Sequence, residues 1–138
     1  MINSVSLSPQ TVAAGNNVLF AADRVRTHAC RCNCGWLEHD AGSGLYTITK
    51  AGVYRVDVSA NVSLAAAGEV ALAIQSNGET VGGTQMQTDI ATADVYQVIG
   101  NFTFVEVACG SSKTISVENI GTTDALVQYA NIAIQRLC

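Results

Sequence analysis

The stretch Tyr54–Leu64, YRVDVSANVSL, alternates six apolar residues with five polar ones without a break. An extended strand sends successive side chains to opposite faces, so this run is a strand with one face against a core and the other toward water. Glu69–Gln75 continues the pattern, with Val70, Leu72 and Ile74 on one side, and ends at Asn77-Gly78, a dipeptide able to take the positive φ values of a tight hairpin. Further strands are expected at Val18–Phe20, Leu45–Thr49, Ala93–Val107, Thr114–Asn119 and Leu126–Leu137. Part of Ala93–Val107 is apolar on both faces (Ile99, Phe102, Phe104, Val105), as a strand covered on both sides or lying at a subunit contact would be. No helix of useful length has a 3.6-residue pattern, and Gly68 interrupts the one ambiguous window, SLAAAGEVALAIQ. Short strands with frequent turn signals imply an all-β, antiparallel sandwich, jelly roll or barrel.

At 138 residues the chain is expected to be one domain, residues 16–138, preceded by an arm at 1–15 that carries the only proline, Pro9. The net charge is −4 and the seven Lys and Arg are scattered, so no basic stripe for nucleic acid is present. No apolar run approaches the ~18 residues that membrane insertion as a helix needs. The leading residues lack the basic and apolar regions of a secretory signal, so the chain is expected to be made in a reducing cytosol.

The order NNVLF, AGSGLYTITKAGVYRVDVSANVS, LAIQSNGETVGGTQM, FTFVEVACGSSKTISVENIG and ANIAIQRL resembles the jelly-roll heads related to tumour necrosis factor and the complement globular heads. It is most similar to the bacterial and phage versions that cap collagen-like fibres, spore-surface filaments and virion fibres. The segment carrying the likeness is the short strand Tyr46–Thr49 followed by Lys50-Ala51-Gly52-Val53-Tyr54, with Gly52 at a turn and Tyr54 pointing inward. The resemblance spans about residues 16–137. It implies a two-sheet, TNF-like jelly roll that trimerises through one sheet, for which Phe20, Tyr96, Phe102 and Tyr129 are the candidate contacts. No Gly-X-Y repeat precedes the head, and the cysteine-rich stretch at 27–40 is an insert on the family pattern.

That insert contains THACRCNCGW, with Cys30, Cys32 and Cys34 at alternate positions. If extended, His28, the three cysteines and Trp36 share a face, with same-face Cα atoms roughly 6.5–7 Å apart. Zinc sites usually converge their ligands through CxxC turns, although His39 could add a ligand if the chain turns at Gly35. Disulfides fit the spacing better. Neighbours two apart on a strand rarely bridge each other, which leaves Cys109 and Cys138 as partners within the chain and one odd thiol for a bond between subunits. No nucleophile elbow, HExxH or phosphate loop is present, so no enzymatic activity and no cofactor is expected. Trp36 is a candidate platform for a glycan. Together these readings give a homotrimeric virion head-fibre or capsid-decoration protein at the surface of a phage particle, contacting the capsid and a host-surface glycan. The alternatives are a bacterial spore-surface or cell-surface protein, or a soluble lectin.

Overall fold

The structure, a computed structural model, describes residues 1–26 and 35–138. Cys30, Cys32, Cys34 and His28 lie outside the described residues. Among the described residues there are strands β1 (Ile2–Val5), β2 (Gln10–Val12), β3 (Ala22–Arg26), β4 (Leu37–His39), β5 (Tyr46–Ile48) and β6 (Gly52–Ser63). They continue with β7 (Gly68–Ser76), β8 (Glu79–Thr80), β9 (Met86–Ile90), β10 (Gln97–Val107), β11 (Lys113–Asn119) and β12 (Ala125–Arg136). No helix occurs among them. They form two antiparallel sheets: β10-β6-β12-β1-β3 with β2 beside β12, and β4-β5-β11-β7-β8 with β9 beside β7. The chain is therefore an all-β, two-sheet jelly-roll sandwich, as the alternation anticipates.

β6 performs as its sequence dictates. Tyr54, Val56, Val58, Ala60 and Val62 are buried between the sheets, while Arg55, Asp57, Ser59 and Asn61 face outward. Its neighbours add Ile99, Val105 and Val107 from β10 and Ala125, Val127, Ala130, Ile132 and Ile134 from β12. The opposing sheet contributes Ile48, Leu72, Ile74, Ile115 and Val117. The β7–β8 hairpin turns at Asn77 (φ 52°) and Gly78 (φ 80°), the left-handed pair that a two-residue primed turn requires. At Gly52 a Cβ would overlap the carbonyl of Cys138, so only glycine lets the residue that follows the last strand lie this close.

Residues 1–15 are not an arm. β1 sits inside the first sheet, paired to β12 on one side and β3 on the other, with Ile2 fully buried. β2 pairs with β12 as well. The expected strand at Val18–Phe20 is instead an irregular segment. Its backbone is satisfied by Val117 and Ser43, and by the Gln10 side chain, which exchanges two 2.8 Å hydrogen bonds with Leu19 as a neighbouring strand would.

Two bulges shape the first sheet. Between Asn3 and Ser4 the pairing with β3 skips Arg24, and between Gln128 and Asn131 the pairing of β12 with β6 gains a residue. Each reverses which face the following residues occupy.

Candidate functional site

The outer face of the first sheet carries a cluster of large exposed apolar side chains. The ladder places Val98, Gly100, Phe102 and Phe104 of β10 beside Asn61, Ser59, Asp57 and Arg55 of β6. β12 completes the rows with Gln128, Asn131, Ala133 and Gln135. Val98, Phe102 and Phe104 are 75%, 48% and 54% exposed, on a strand whose other face is core. The two phenyl rings meet edge to face, centroids 5.8 Å apart at 83°.

Arg55 gives this patch its shape. Its Nε and Nη2 donate to both oxygens of Asp57 at 2.9 and 3.0 Å, and its guanidinium lies 4.5 Å from the centroid of the Phe102 ring. The hydrogen bonds to Asp57, and then its charge, push the Arg55 guanidinium above its already high ordinary value. Beside it lies a depression of about 430 Å³ floored by Ser59, Gly100 and Ala133, the smallest residues of the face, and walled by Phe102 and Asn131.

Tyr129 stands on the β12 bulge at φ 51° and is 74% exposed. A bulky residue there is strained by roughly 1–2 kcal/mol relative to glycine. Gln128 and Tyr129 consequently both point away from the core, where a regular strand would send one of them inward.

Of the four contact residues expected from sequence, the structure brings Phe102 and Tyr129 onto this face. Tyr96 is half-buried just before β10. Phe20 belongs to the core instead: it is fully buried, edge-on to Tyr46 at 5.9 Å. Val98 and Arg55 were missed, and Phe104, read only as part of the doubly apolar run, shares the parity of Phe102 and so had to share its face.

Trp36 is corrected likewise. It is only 9% exposed and its ring packs on Tyr54 at 5.2 Å, leaving no open platform for a sugar. Cys109 and Cys138 are free and exposed. Both lie at the end where β6 begins, because Val107 pairs with Gly52 and the Cys138 carbonyl packs on Gly52. At the opposite end an open groove of about 720 Å³ runs between the Leu64–Gly68 and Ile120–Asp124 loops.

His39 is not free to bind a metal. Its Nδ1 lies 2.7 Å from Asp23 Oδ1 and its Nε2 2.9 Å from the carbonyl oxygen of Ser43. Ser4 donates to the same Asp23 oxygen at 2.6 Å, so the hydroxyl bonds the carboxylate and not the imidazole. A nucleophilic relay needs the opposite connectivity. Among the described residues no group of three or more His, Cys, Asp or Glu could hold a metal ion.

No protein-family model matches the chain, and no curated protein does. Solved structures do match across nearly the whole chain. The globular domain of zebrafish complement 1qA protein superposes with a TM-score of 0.74 at 11% identity, covering 99% of this chain and 96% of that one. Murine APRIL at pH 8.5 gives 0.67 at 12% identity over 99% and 97%. Eiger TNF from S. frugiperda gives 0.65 at 12% over 99% and 92%. The fold is thus the TNF-like jelly roll of the tumour-necrosis-factor and complement heads.

Proposed function

We propose that this chain is a non-enzymatic structural or binding module that works as a homotrimer, assembled through the outer face of the β10-β6-β12 sheet. One observation carries the reading: three large apolar side chains of β10, organised by the Arg55–Asp57 pair, stand in water on a face whose opposite side is core. Exposed apolar clusters of this kind mark association sites, and the adjoining depression offers a socket for a protruding side chain such as Tyr129 of a neighbouring copy. The TNF-like fold supports three copies as the stoichiometry. Sedimentation equilibrium at micromolar concentration is expected to give three times 14.4 kDa; a 14.4 kDa species overturns the reading.

The finer proposal is that the trimer decorates the surface of a phage virion as a head fibre or capsid-decoration protein, bound to the capsid and displaying its outer loops toward a host-surface glycan. The order of the five segments that resemble bacterial and phage heads supports it. The groove beside Glu69, Gln87 and Asp124, at the end opposite the free cysteines, is the place for such a glycan. Disulfides among Cys30, Cys32, Cys34, Cys109 and Cys138, including one between subunits, would form once such a particle leaves a reducing cell. Recovery of the chain with purified particles, and a trimer on non-reducing gels that collapses on reduction, are the expected results. Absence from particles overturns the virion reading, and identical migration with and without reductant overturns the bridge between subunits.

A further inference from the structure

The edge of the sandwich between β3 and β4 is joined by a polar cluster that the assembly reading does not use. β3 is the last strand of one sheet and β4 the first of the other. Asp23 on β3 meets His39 on β4, and Arg26 Nη2 donates to the Leu37 carbonyl at 3.1 Å. The bulge at Arg24 makes this possible: residues three apart on a regular strand face opposite ways, yet Asp23 and Arg26 both turn to this edge, 3.7 Å apart.

The His39 side chain is fully buried and stacked on Tyr46, centroids 4.1 Å apart at 9°. A backbone carbonyl can only accept, so the nitrogen facing Ser43 must carry a proton. A carboxylate also only accepts, and its Oδ1 already takes the Ser4 hydrogen. A neutral ring beside an ionised Asp23 would leave one pair of acceptors facing each other at hydrogen-bond distance.

We propose that Asp23 and His39 hold one shared proton in the folded chain and act as an acid–base lock joining the two sheets at the β3–β4 edge. Its presence satisfies both ring nitrogens of His39, and its loss sets lone pair against lone pair. The groups facing the ring are Asp23 and Arg26 from β3, Ser4 from β1, the Ser43 carbonyl, and Tyr46 from β5. Burial, aided by the Asp23 charge, pushes the Tyr46 hydroxyl far above the phenol range, so that ring contributes no competing charge.

The sign follows from the shared proton itself: wherever the folded pair holds a proton that the unfolded chain does not, the folded state binds more protons and stability falls as pH rises.

Nitrogen-15 correlation spectra of the His39 ring in the unaltered chain test the shared proton between pH 6 and 7. The expected result is proton-bearing character at Nε2 and partial or full protonation at Nδ1; a bare nitrogen facing either acceptor overturns the proposal. Asp23→Asn supplies the second measurement, since its amide NH2, placed where Oδ1 stood, can donate one hydrogen to Nδ1 and the other to the Ser4 hydroxyl oxygen. Its unfolding temperature is expected to stay flat between pH 6.5 and 9 while that of the parent falls. In the parent, exchange of β3 and β4 amides should quicken relative to β6 over the same range. An equal pH slope in both proteins, or uniform exchange across the strands, refutes the lock. The ring spectra require no substitution, so they decide the matter even if the variant does not fold.

Discussion

The Asp23–His39 and Arg55–Asp57 contacts are of similar length and do opposite work. Asp23 and His39 belong to different sheets, and the His39 side chain is wholly removed from water. Arg55 and Asp57 sit two residues apart on β6, each side chain more than two-fifths exposed. The first contact ties two layers together at their edge. The second joins a strand to itself and contributes little to folding, since water competes for both partners. Its consequence is local: it neutralises Asp57 and lays a flat cation against Phe102, preparing a surface for another surface. Burial, more than distance, decides which contact is structural and which is left on the proposed assembly face.

The largest effect is expected from breaking the buried contact. His39→Leu leaves Asp23 facing an apolar side chain, and urea unfolding is expected to show a loss of about 3–5 kcal/mol. Arg55→Leu should leave the unfolding midpoint of the monomer unchanged; an equal loss in both variants would erase the distinction. Next comes the paired substitution Phe102→Asp with Phe104→Asp. Sedimentation should show the trimer weakened by at least about 100-fold, as removal of central aromatic anchors does elsewhere, with monomer stability little altered. Tyr129→Asn is smaller and runs in two directions. Asn tolerates the left-handed backbone at this bulge, so the chain should gain up to about 1 kcal/mol against urea while association weakens. Raising salt from 0.1 to 1 M should do least. It should weaken assembly modestly by screening Arg55 and Asp57, and leave the β3–β4 edge untouched because its ring is shielded from ions.

What sequence revealed divides along the same line. β6 and β11 declare themselves because their inward positions are largely apolar and their outward ones polar, and β7 because Val70, Leu72 and Ile74 recur at every second position. β1, β3 and β4 do not, because the lock places Ser4, Asp23 and His39 inward, and in β3 the apolar Val25 faces out. Polarity is inverted there, and the leading segment passes for an arm. The proposed assembly face was half legible. The parity of β10 marks Phe102 and Phe104 as companions, but nothing short of the ladder reveals that Arg55 lies against Phe102, or that Phe20 is consumed by the core. Trp36 was ambiguous for a different reason, since its cover is Tyr54, distant along the chain.

The extra residue in β12 also bears on how such a surface can change. Ala125 and Val127 before it, and Ala130, Ile132 and Ile134 after it, all point inward, so the core keeps its phase only because one position is skipped. Deleting Tyr129 outright would splice the halves into a single uninterrupted alternation without moving any interior side chain to the wrong side. The protruding tyrosine is thus a detachable piece: a single codon lost or gained could switch it off or on while the interior stays as it was.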